Sequence, residues 1–250
     1  MERLTLRART TLVAVLLGAT LVAWIVTVQR MRGMDAGPGT DLGTLGWYLG
    51  IWVTMMAAMM LPSTAPTVLI FARSRGSAQT WIFTLGYLIT WTGYGLAAYA
   101  IYRGVRALDP SFLAWNERGP WVAGCALVVA GLYQLTPLKT ACLRHCRSPL
   151  HILLRGRAGR LGALWMGIEH GGFCIGCCAG LMLALFALGV MSLFWMAIVA
   201  VAVLIEKALP GGEAFARLIA VVLIALGIWV AASPASVPGM TQPGGMPMQS

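Results

Sequence analysis

The sequence predicts an all-α fold, a polytopic transmembrane bundle of about seven helices with its N-terminus inside and its C-terminus outside. Three observations carry that prediction: the composition, the long apolar runs and the uneven placement of basic residues. Of 250 residues, 59% are hydrophobic and only 10% are charged, against roughly 25% charged in an ordinary soluble domain. The mean hydropathy is +0.79. A core of that size cannot be covered in water by 18 Lys and Arg and 8 Asp and Glu. The same figures exclude a disordered chain, a disulfide-dense miniprotein and a nucleic-acid-binding domain.

Seven runs approach the roughly 20 residues that an apolar helix needs to cross a bilayer. They cover residues 11–28, 45–71, 81–102, 120–138, 161–190, 193–209 and 214–232. Helices are expected because lipid offers no partner to backbone N–H and C=O groups, and a β-barrel would need short alternating segments instead. The first run follows Arg3, Arg7 and Arg9, as a signal peptide would. It is too long for a signal-peptide core and lacks a small-residue cleavage site, so it reads as a retained helix. Residues 1–232 therefore form one transmembrane domain. Residues 233–250, rich in Met, Pro and Gly, are expected to be a disordered tail.

Orientation follows from the basic residues. With the N-terminus inside, the inner segments hold 13 of the 18 Lys and Arg, six of them between Lys139 and Arg160, and the outer segments hold five. That bias satisfies the positive-inside rule and points to the bacterial cytoplasmic (inner) membrane. The net charge of +10 is thus a topology signal and a contact for the lipid bilayer, with no nucleic acid implied. Glu206-Lys207 reads as an interfacial pair that stops the sixth span. Pro62 and Pro66 are expected to kink the second, and Trp47, Trp81, Trp115 and Trp121 fit aromatic belts.

Chemistry is concentrated in two short stretches, Cys142-Leu-Arg-His145-Cys146 and His170-Gly-Gly-Phe-Cys174-Ile-Gly-Cys177-Cys178. On a helix His170, Cys174 and Cys178 share a face and Cys177 lies beside them. Counting inward from Leu161 at about 1.5 Å per residue, His170 is roughly 14 Å deep and Cys174 roughly 20 Å. Glu169 adjoins them at a depth where ionisable groups are costly and usually functional. In the first stretch, Cys142 and Cys146 are one turn apart at the inner mouth of the fourth span, with His145 between. Lys139, Arg144 and Arg147 nearby favour the thiolate that binds metal. Cysteine also packs as a small hydrophobe, and that reading stands beside the metal-binding one.

Methionine adds a third donor type. Met55, Met56, Met59 and Met60 form two overlapping M-x-x-x-M pairs in the second span, expected in the middle of the membrane and level with His170. Thioethers with thiolates select Cu(I) over hard cations, although methionine stripes also fill apolar gaps. Met31, Met34 and Asp35 in the first outer loop and Met240, Met246 and Met248 in the tail are weaker donors for capturing Cu(I) at the outer face.

The segments MMAAMMLPSTAP, AGLYQLTPLKTACLRHCRSPL, HGGFCIGCCAGLM, LGVMSLFWMA and VLIEKALPGG resemble a bacterial domain-of-unknown-function family described as predicted metal-binding integral membrane proteins. The resemblance covers about residues 47–212. It implies a helical membrane protein that binds a metal, with copper expected, and by position it implies Cys142, His145, Cys146, His170, Cys174, Cys177 and Cys178 as ligands. Phe173 and Ala179 depart from the family pattern without touching a candidate ligand.

The leading expectation is a metal-binding, non-enzymatic membrane protein that handles Cu(I) by transport, delivery or sequestration, with zinc as the second candidate metal. Its partners would be the metal ion and a copper chaperone or copper-dependent membrane enzyme. Two alternatives stay open. One is a membrane thiol oxidoreductase using Cys174 and Cys177. The other is a non-catalytic assembly partner with a structural metal.

Overall fold

Every one of the seven apolar runs coincides with a helix, and an eighth helix forms where the sequence was read as the inner mouth of the fourth span. The computed structural model describes residues 6–32, 42–108, 118–148, 158–190, 192–209 and 211–233. The helices are α1 (Leu6–Met31), α2 (Leu45–Arg75), α3 (Ser77–Leu108), α4 (Gly119–Gln134), α5 (Pro137–Arg147), α6 (Gly159–Leu188), α7 (Leu193–Ala208) and α8 (Gly212–Ala232). The all-α membrane fold stands, with a different count of spans. Four helices, α1, α2, α6 and α8, are long and apolar enough to cross a bilayer, and a fifth span arises if α4 and α5 are one broken crossing. α7 has 16 residues, about 24 Å of helix. α3 has 32 residues but is diluted by Thr, Tyr and Gly.

The break between α4 and α5 has a local cause. A residue before proline is pushed towards extended backbone, and Thr136 has ψ 147° ahead of Pro137. Thr136 then caps α5 by accepting from the Lys139 backbone N–H at 3.3 Å, with Pro137 in the first helical turn, where its missing N–H costs nothing. The two axes diverge by 64°. In α2, by contrast, Pro62 and Pro66 lie within an uninterrupted helix. Hydroxyls supply local donors there: Ser63 donates to the Met60 carbonyl at 2.9 Å, and Thr64 to the Met60 and Leu61 carbonyls at 3.1 Å.

Packing is pairwise. α4 runs along α8, α3 along α6 and α1 along α2, while α5 lies against α6. Small residues allow the backbones to touch, as helix association within lipid favours. A Cβ on Gly167 would collide with the Phe83 carbonyl, and one on Gly86 with the Leu164 carbonyl. Trp47, Trp81, Trp121, Trp165 and Trp229 are exposed, as belt residues should be.

Glu206 and Lys207 do not pair with each other, because neighbours in a helix point about 100° apart. Glu206 is buried and takes the ammonium of Lys139, itself only 1% exposed, at 2.7 Å. Gln134 donates to Glu206 at 3.2 Å and accepts from Lys139. The segment read as a basic loop therefore begins with a buried ion pair that ties α4 and α5 to α7.

Two predictions follow from this packing. Gly167→Leu should separate α3 from α6 and lower the thermal unfolding midpoint in detergent by several degrees, whereas Gly172→Ala, which meets nothing within 4 Å, should leave it unchanged. Lys139→Met, which leaves Glu206 buried without its partner, should cost about 3–5 kcal/mol. Denaturant unfolding should show Lys139→Met with Glu206→Gln recovering part of that loss.

Candidate metal centre

Cys174, Cys177 and Cys178 lie on the buried side of α6, and their sulfurs are within 4.8 Å of one another. α5 brings a fourth thiol. Cys146 Sγ is 3.6 Å from Cys177 Sγ, which is also 3.6 Å from Cys178 Sγ. All four are free and buried. The approach of α5 depends on Gly176, whose missing side chain makes room for Cys142, the Cys142 sulfur standing 2.6 Å from where a Cβ would be. Tyr133 of α4 closes the same contact by donating to the Gly176 carbonyl at 2.6 Å. The inner and mid-helix cysteines thus converge in one cluster.

Two polar groups that the sequence reading did not single out meet Cys174. The Tyr87 hydroxyl of α3 is 3.1 Å from its sulfur. Lys207 of α7 donates to the same sulfur at 2.9 Å and lies 3.4 Å from the Ser63 hydroxyl of α2. The signal for Lys207 was present as a basic residue at the end of an apolar run, but that position reads equally well as a stop signal.

The other expected residues occupy the surroundings. His170 is buried, one turn from Cys174, with its ring between Phe83 and Tyr87 at 5.7 and 5.8 Å. Its Nδ1 has no hydrogen-bond partner among the described residues. His145 stacks on Phe173 at 4.5 Å, with its Nδ1 2.9 Å from the Ala141 carbonyl. Cys142 and Glu169 are half-buried. Met55, Met56, Met59 and Met60 are buried in the same core cluster as the four cysteines. They are not level with His170: Trp52 packs on Phe186 at 5.7 Å, while Ser63 reaches Cys174 through Lys207. The methionines between those landmarks lie at the level of the stretch of α6 from Cys174 to Phe186. Met31, expected in the outer loop, ends α1 and is buried in this core as well. Met34, Asp35, Trp115, Met240, Met246 and Met248 lie outside the described residues.

Four buried thiols beside buried thioethers form a soft donor set, the kind that favours Cu(I). Residues 49–230 match a family model, PpoB2, described as a copper chaperone. The chain belongs to this copper chaperone family. No curated protein matches the chain, and no solved structure does. Membership of the PpoB2 family makes copper the cargo and agrees with the expectation of a metal-binding membrane protein. The PpoB2 match runs from α2 to α8, so it takes in every helix that lines the thiol cluster.

Burial dictates reactivity. Native protein treated with a small water-soluble alkylating reagent should label Cys142, half-buried on the short helix α5. Cys146, Cys174, Cys177 and Cys178 should label only after denaturation, as peptide mass spectrometry would report.

Proposed function

We propose that this PpoB2-family protein binds Cu(I) at Cys146, Cys174, Cys177 and Cys178 within the bilayer and passes it to a copper-requiring partner. The observation that carries this reading is the convergence of four free, buried thiols from two helices in a chain of a copper chaperone family. Buried thiols of that density, beside a lysine, suit a thiophilic monovalent ion better than packing alone requires. Met56 and Met60, fully buried in the same core, supply exchangeable thioethers on the α2 side. The orphaned Nδ1 of His170 offers a further stopping point one turn away. Exchange between such weak neighbouring donors is what transfer requires, because a carried ion must leave as well as bind.

α5 gives the cargo its way out of the cluster. Cys142 is half-buried on the same helix as Cys146, one turn along and on the same face. A cavity of about 210 Å³ bounded by Gln134, Lys139, Arg144, Glu213 and Arg217 borders α5. In this reading Cys142 and His145 serve the approach, Glu169 is a neighbour of the route, and the protein carries copper without catalysing a reaction. With the basic segments placed inside a bacterial cytoplasmic membrane, α5 would face the interior, where thiols stay reduced.

Elemental analysis of reduced, anaerobically purified protein tests the proposal. Wild type grown with added copper should hold copper near stoichiometry, and the Cys174→Ser/Cys177→Ser/Cys178→Ser variant should lose at least nine-tenths of it. Equal copper in both proteins would refute the site. Zinc in place of copper would turn the reading towards a static tetrahedral site. A reversible Cys174–Cys177 disulfide without bound metal would favour thiol oxidoreduction.

A further inference from the structure

We infer that Lys207 is the counter-cation of the copper site, a positioning residue that fixes the charge of the metal–thiolate complex the protein can hold. The inference rests on the function proposed above and goes beyond it by naming a residue that binds no metal. Lys207 Nζ lies 2.9 Å from Cys174 Sγ, and its other contact is the Ser63 hydroxyl at 3.4 Å. No carboxylate among the described residues pairs with it. The nearest one in sequence, Glu206, is taken by Lys139. A half-buried lysine that reaches a wholly buried sulfur, with no carboxylate partner among the described residues, is unusual in a helical membrane protein, since charged groups there are paired or functional. Its partner here is a sulfur.

Charge arithmetic explains the pairing. A Cu(I) ion held by two thiolates carries a net charge of −1, and an isolated charge in an apolar interior is strongly disfavoured. The ammonium of Lys207 brings that assembly to zero. A third thiolate on Cu(I), or four thiolates on Zn²⁺, leaves one negative charge unbalanced. With Lys207 in place the assembly is neutral for digonal Cu(I), with the remaining two cysteines as neutral thiols, and stays charged for a four-thiolate zinc site. Tyr87, 3.1 Å from the same sulfur, can donate to it once it is a thiolate and leaves fewer directions open at Cys174 for a metal.

The geometry also explains why the lysine is on α7. Ser63 on α2, Tyr87 on α3 and Cys174 on α6 surround one point, and a side chain from α7 reaches it along the remaining side. Arginine could supply the same charge and donors, whereas methionine would fill the space and supply neither.

The test compares wild type, Lys207→Arg and Lys207→Met as purified full-length proteins in detergent. Cu(I) affinity is read by competition with a chromophoric Cu(I) chelator, and zinc affinity with a zinc-selective one. Outer-shell partners of metal ligands typically contribute 10–100-fold in affinity. Lys207→Met is expected to lose Cu(I) affinity in that range and at least as much for Zn²⁺, whose four-thiolate complex carries the larger negative charge, while Lys207→Arg keeps Cu(I) binding near the wild-type value. Equal Cu(I) affinity in wild type and Lys207→Met would overturn the inference, as would an equal loss in Lys207→Arg. Copper X-ray absorption of Met56→Leu/Met60→Leu, in which those neutral thioethers are no longer counted, reads the charge directly: two sulfur neighbours support the charge balance, and three or four overturn it. A wild type that binds no copper overturns the proposed function itself. Copper binding that depends on Cys174 but ignores the charge at position 207 overturns only this inference.

Discussion

The ion pair between Lys139 and Glu206 holds the site together. Both side chains are almost wholly buried and Gln134 hydrogen-bonds to each, so three helices are joined at one point: the end of α4, the first turn of α5 and the last turn of α7. Such pairs contribute little net stability, because desolvation opposes the attraction. They are costly to separate, however, and so they specify position. Here the positions specified are those of the thiol cluster. α5 held against α6 brings Cys146 to Cys177, and α7 held against α5 brings Lys207 to Cys174.

That arrangement depends on a helix that fails to continue. Had α4 run straight through residues 135 and 136, Cys146 would lie roughly 18 Å beyond Gln134 along the same axis, out of reach of α6. Thr136 and Pro137 turn the chain, and Gly176 lets the turned segment come close. The thiol cluster is thus assembled by a local backbone preference, a missing Cβ and a buried charge pair, none of which belongs to the cysteines themselves.

Much of this was legible in the sequence. The apolar runs fixed seven helices to within a few residues, because a run of that length has no other solution in lipid. The i, i+4 spacing of Cys174 and Cys178, with Cys177 beside them, placed three donors on one side of α6. The helix from Pro137 to Arg147 was implied by the same spacing in Cys142 and Cys146. Tertiary facts were not legible. Periodicity cannot tell which helix lies beside which, so the joining of Cys146 to the α6 cysteines, the depth of the methionines and the partner of Lys139 were beyond it. Lys207 was out of reach for the opposite reason: a plausible local explanation, the end of a span, was available for a residue whose contacts come from two distant helices.

The adjacency of Glu206 and Lys207 has a consequence for how α7 can vary. One residue anchors α5 and the next reaches the Cys174 sulfur, and the two contacts lie on faces about 100° apart. Inserting or deleting a single residue between Ser192 and Glu206 would rotate both out of register together. Substitutions that keep apolar character on the lipid side change neither contact. The length of this short helix is therefore quantised, a spacer whose tolerance is measured in whole turns, while its sequence is free only along the narrow exposed stripe that includes Phe194, Ile198, Val201 and Leu204.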